Sequence, residues 1–171
     1  MYTTVVLVAL SSLPGNAELV PQRPAWLNDY AFASQRGIAQ QKPLAVFIGT
    51  GEAGWKNVST NGSLSEEVND ILTNHYVCVY IDTKKKEGRE LARAFDVGSG
   101  VGLVISDRSG KLQAFHHDGE LNSAEVRSSL RRYSDPYRVA ATTETREDLH
   151  PRPAPIAPPP VMRYAPISRG C

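Results

Sequence analysis

Cysteine is nearly absent from this chain. Only Cys78 and Cys171 occur among 171 residues, and no CxxC pair is formed. Two cysteines cannot build a disulfide framework or a cysteine-only zinc site. Charge of one sign is lacking as well: 19 basic residues face 18 acidic ones, for a net charge of +1. No global field would therefore recruit nucleic acid or an acidic membrane. No apolar run approaches the roughly 18–20 residues needed to cross a bilayer. No internal repeat is visible, and nothing in the pattern asks for a cofactor or a metal.

What remains is ordinary for a soluble domain, with 41% hydrophobic and 22% charged residues. A domain of about 100–150 residues can bury a sizeable core. The helical spacing of Trp26, Tyr30, Ala33 and Ile38 predicts a first helix, ending before Lys42-Pro43. Leu44–Ile48 and Tyr76–Ile81 are apolar on both faces, which suits central buried strands. Between them, Ser63-Leu64-Ser65-Glu66 reads as a capping box opening a helix that runs to about Asn74. A third helix carries Leu91, Ala94 and Phe95. Gly102–Ser106 and Lys111–His117 then form a hairpin around Asp107-Arg108-Ser109-Gly110. Asn122 and Glu125 cap a last helix bearing Val126, Leu130 and Tyr133, with Leu121 stapled to Val126. The order α-β-α-β-α-β-β-α predicts a mixed α/β sheet of four to five strands with helices on both faces. An additional edge strand would lie before Trp26.

The flanks read differently. Thr3–Leu13 is apolar, and Gly15 and Ala17 fit a small-x-small cleavage site, so residues 1–17 are read as an export signal. No Lys or Arg precedes that segment, which keeps a strand or frayed end as the other reading. Residues 18–25 are taken as an extended linker, 26–135 as the folded domain, and 136–171 as a tail. Seven prolines between Pro151 and Pro166 make that tail a disordered segment of polyproline II character. Cys171 on such a tail is a candidate for an intermolecular disulfide.

The segments KPLAVFIG, YVCVYIDT, LARAFDV and GLVISDRSGKLQAFHHDGEL together resemble the thioredoxin fold family over roughly Trp26 to Tyr133. That resemblance implies a site where the first central strand leads into the next helix. The family carries Trp-Cys-x-x-Cys-Lys there; this chain has Gly51-Glu52-Ala53-Gly54-Trp55-Lys56. The two cysteine positions fall on Glu52 and Trp55, while Lys56 stands where the family has lysine. The family's cis-proline position falls on Val101. Dithiol chemistry needs one thiolate to attack and a second thiol to resolve, so disulfide exchange is not expected. The resemblance implies instead a redox-inactive domain that binds an unidentified protein or peptide, with loops 49–62 and 98–101 and a sheet edge as its surface.

The residues themselves raise other chemistry. Gly49-x-Gly51-x-x-Gly54 matches a dinucleotide fingerprint formally and leaves open nucleotide or anion binding. Against it, no helix opens at once, and Asp82 lies further on than a ribose-binding acid should. Lys56 could meet an anion at the next helix start, but a solvated lysine fits better. Cys78, mid-strand, reads as a buried and unreactive thiol. His116 and His117 are adjacent on a strand, so they face opposite ways and do not share one ion. Trp55 is either packing or an exposed recognition aromatic. A tethering role carried by the tail completes the alternatives.

Overall fold

The computed structural model describes residues 23–149. The proposed export signal, most of the linker and the proline-rich stretch with Cys171 lie outside the described residues. Within them a five-stranded mixed sheet has the order β1-β3-β2-β4-β5. The elements are β1 (Trp26–Leu27), α1 (Tyr30–Gln40), β2 (Leu44–Gly49), α2 (Glu66–His75), β3 (Val77–Asp82), α3 (Lys86–Ala94), β4 (Gly102–Ser106), β5 (Gln113–Asp118) and α4 (Ser123–Ser134). β1 and β2 run parallel to β3, whereas β4 runs antiparallel to both β2 and β5.

The strands are apolar on both sides because both sides are covered. Ala45, Phe47, Cys78, Tyr80, Leu103 and Ile105 pack with Val68 and Leu72 of α2 and Val126, Leu130 and Tyr133 of α4. The alternate residues Leu44, Val46, Ile48, Val77, Val79 and Ile81 pack with Ala33 of α1 and Ala92 of α3. Side chains alternate across a strand, so the central strands β2, β3 and β4 each feed two cores, whereas β5 feeds only the first. Burying each large aliphatic or aromatic side chain contributes about 1.5–3 kcal/mol.

Four sequence expectations are corrected. Trp26 opens no helix: it pairs with Cys78 in the edge strand β1, and Asp29 caps α1 by accepting from the Phe32 amide at 2.9 Å. Apolar residues four apart mimic one helical face even when a strand and a helix share them. Ile38 is exposed rather than buried, because α1 presents Ala33 and Gly37 to the sheet. The cap of α2 is Ser65, not Ser63; its Oγ accepts from the Val68 amide at 3.3 Å. The folded region also extends past 135. Glu144 bridges to β5, its amide donating to the Ala114 carbonyl at 2.9 Å and its carbonyl accepting from the His116 amide at 3.0 Å. Its carboxylate accepts from the Tyr133 hydroxyl at 2.6 Å and pairs with Arg132 at 2.7 Å and with Arg138. Arg146 reaches the nearly buried Glu125, with Nε to Oε1 at 2.7 Å. Residues 136–149 are thus a strap over β5 and α4. No apolar periodicity announces it, since ion pairs hold it.

The capping box at α4 is as expected. Asn122 Oδ1 accepts from the Glu125 amide at 2.9 Å, and Glu125 Oε2 accepts from the Asn122 amide at 3.0 Å.

Candidate loop surface at the strand ends

β2 delivers the chain into the glycine loop, where two glycines are needed for contact rather than for a ligand. A Cβ on Gly49 would lie 2.3 Å from the Gly54 carbonyl oxygen, and one on Gly54 would lie 2.3 Å from Tyr80 Oη. The loop therefore folds back onto β2 and β3, and a short 3-10 turn, Gly54–Val58, follows. The Tyr80 hydroxyl donates to the Gly51 carbonyl. Burial, then the neighbouring Asp82 charge, pushes that phenol up to about 12, so it remains a donor. Asp82 Oδ1 in turn accepts from the amides of Gly51 at 2.7 Å and Lys84 at 3.0 Å. These amides hold its carboxyl below the ordinary range. A carboxylate thus engages the loop amide that a phosphate would need.

Trp55 of the turn is half-buried and stacks on Trp26, ring centroids 5.1 Å apart at 21°. Trp26 in turn meets the edge of the buried Phe47 at 5.0 Å. Lys56 Nζ lies 5.5 Å from the centre of the Trp55 ring. Glu52 and Lys56 are exposed on the same loop. The loop's far end is tied to α4 through Ser59, Asn61 and Ser123, with contacts of 3.0 and 3.1 Å.

Val101 is half-buried on the second loop, and the described residues contain no cis peptide. Asp118 organises that loop: its carboxylate accepts from the amides of Gly98 at 3.1 Å and Ser99 at 3.0 Å and from the Ser99 hydroxyl at 2.5 Å. Burial works against its charge, but these bonds outweigh burial and keep the carboxyl below its usual value. Thr83 joins the two loops. Its Oγ1 lies 3.0 Å from the Gly49 carbonyl and 3.4 Å from that of Gly100. Trp55 and Val101 pack against the same core cluster, and no direct contact between them is among those described.

No protein-family model and no curated protein matches the chain. Solved structures do. A thioredoxin from Thermus thermophilus, determined in solution, is 21% identical over 65% of this chain and 87% of its own, with a TM-score of 0.54. A DsbH oxidoreductase is 20% identical over 78% of this chain and 96% of its own, with a TM-score of 0.51. The fold is thioredoxin-like. Identities near 20% extend that likeness to the fold and no further.

On this thioredoxin-like frame, Glu52, Trp55 and Lys56 share one loop at the C-terminal ends of β2 and β3. Val101 enters from the neighbouring loop. Of the residues that hold these loops, Asp82 is legible in the sequence only as a misplaced ribose-binding acid, and Thr83 and Asp118 carry no motif. Polar residues closing a strand end were the available signal, but partners 17 to 34 positions apart are invisible in one dimension. Cys78 is buried on the α2 side of the sheet, and burial pushes its thiol up to about 12. His116 and His117 diverge, with Nε2 atoms 3.0 Å from the Asp96 carbonyl and 3.3 Å from that of Glu120. Beside the loop, Asn28, Glu52, Asp82, Lys85 and Glu87 line an open cleft of about 290 Å³.

Proposed function

We propose that this chain is a redox-inactive thioredoxin-like module that binds a protein or peptide. The binding surface is the rim formed by loops 49–62 and 98–101. The observation carrying this reading is the side-chain chemistry at 52 and 55. An exposed carboxylate and a stacked indole stand at the two positions the family resemblance assigns to reactive thiols. Neither attacks a disulfide. The rim is nonetheless braced by Tyr80, Asp82, Thr83 and Asp118, and a preorganised surface loses little freedom on binding. The cleft beside it has three carboxylates and one lysine, which favours a partner segment carrying lysine or arginine. Nucleotide binding at the glycine loop is the weaker reading, since Asp82 accepts from the Gly51 amide.

Export, with release of residues 1–17, and tethering through Cys171 belong to the same proposal. In the test, a photo-crosslinking residue replaces Glu52 in the full chain within its native cells, with Glu90 on α3 as the control position. One discrete partner captured at 52, absent at 90 and lost with Glu87→Lys, which reverses a charge in the acidic cleft, is the expected result. Equal capture at both positions, or none at 52, overturns the reading. Disulfide-reductase activity above background would overturn the redox-inactive part. Intact mass after thiol alkylation tests the rest, because an uncleaved chain with alkylated Cys171 contradicts both export and tethering.

A further inference from the structure

A cavity of about 140 Å³ opens at the other pole of the sheet. It sits where β1 is only two residues long, so Val77 at the start of β3 and Tyr76 just before it have little strand cover on that side. The loop surface follows Asp82 at the opposite end of β3, about 17–20 Å away at 3.3 Å per residue. Arg23, Arg36 and Lys42 line the cavity, and no carboxylate does. Among the described residues, the ion pairs engage Lys86, Arg127, Arg131, Arg132, Arg138 and Arg146, and none involves these three. Three like charges therefore line one cavity in a chain whose overall charge is only +1. Leu27, Leu72 and Val77 make part of the wall apolar. Such a wall lowers the local dielectric and strengthens attraction for an anion. The buried Cys78 thiol, also in the lining, stays neutral and adds no opposing charge.

We propose that this cavity is a binding site for a small phosphate-bearing anion, held by Arg23, Arg36 and Lys42. Its volume is close to the roughly 150 Å³ of an engineered cavity that takes benzene. Phosphate or a small phosphomonoester fits such a space, and a nucleotide does not. Arginine suits the task because its planar fork meets phosphate oxygens two at a time.

The test is a titration of the full chain with inorganic phosphate at constant ionic strength, followed by amide chemical shifts. Saturable shifts at Arg36, Gln40, Thr73 and Val77 are expected, with none at loop 49–62. Arg36→Gln and Lys42→Gln should each weaken binding about tenfold, the scale of one charge-assisted hydrogen bond. Lys42→Arg should keep it. Phenyl phosphate in place of phosphate distinguishes a monoester ligand from the free ion. Acetate at equal ionic strength should produce no saturable change. Arg36 is exposed and Lys42 half-buried, and an unchanged amide spectrum without phosphate verifies that each variant folds. Shifts that never saturate, that match those with acetate, or that survive both Gln variants overturn the proposal. The cations would then serve only to complement the negative C-terminal ends of α1 and α2.

Discussion

Replacing Glu144 with Gln removes one charge from the strap and keeps its shape. The carboxylate receives the Tyr133 hydroxyl at 2.6 Å, Arg132 at 2.7 Å, and Arg138. Side-chain exposure is 23% for Glu144, 36% for Arg132 and 29% for Arg138. This lies between two regimes: exposed pairs contribute about 0–1 kcal/mol, and breaking a buried pair costs about 3–5 kcal/mol. A loss of about 2 kcal/mol at pH 7 follows. Burial opposes the Glu144 charge, but Tyr133, Arg132 and Arg138 outweigh it and hold the carboxyl below its ordinary 4.5. Its folded value is thus lower than its unfolded one. The contribution is present above about pH 4.5 and fades as pH falls through the folded value. Urea denaturation of wild type and Glu144→Gln should differ by about 2 kcal/mol at pH 7, or about 1 M in midpoint. The difference should be smaller at pH 3 than at pH 7, because the contribution fades as pH falls through the folded value. If the strap opens without the rest unfolding, the effect appears instead as faster exchange of the His116 and Glu144 amides. An equal difference at both pH values, or no change in midpoint or exchange at pH 7, refutes the charge latch.

Two further outcomes are expected. Gly54→Ala should destabilise by about 1–3 kcal/mol in thermal melts, because the new methyl meets Tyr80 Oη and the Gly49 carbonyl carbon, the latter at 3.0 Å. Adding Tyr80→Phe should recover only part, since the backbone clash remains. In a Cys171→Ser chain, Cys78 should resist maleimide at pH 8 while native and react once urea unfolds it, as intact mass will show; rapid native labelling contradicts its burial.

Local chemistry alone determined much of this protein. The apolar runs of β2 and β3, the hairpin turn at Asp107–Gly110 and the Asn122–Glu125 capping box are signals carried within a few residues. They place the elements and, through their order, the sheet. The absence of paired cysteines at 52 and 55 was equally plain in one dimension. Other features depended on partners distant in the chain. Trp26 became a strand residue because β3 offered Cys78 as its neighbour and Trp55 offered a ring to stack on. The strap joined the domain because Tyr133, Arg132 and Arg138 converge on Glu144. The basic cavity exists because a two-residue edge strand leaves space beside three cations contributed by the linker, α1 and the turn after it. Periodicity reports which face of an element is apolar, but which charges meet is decided by the tertiary path that brings them within reach.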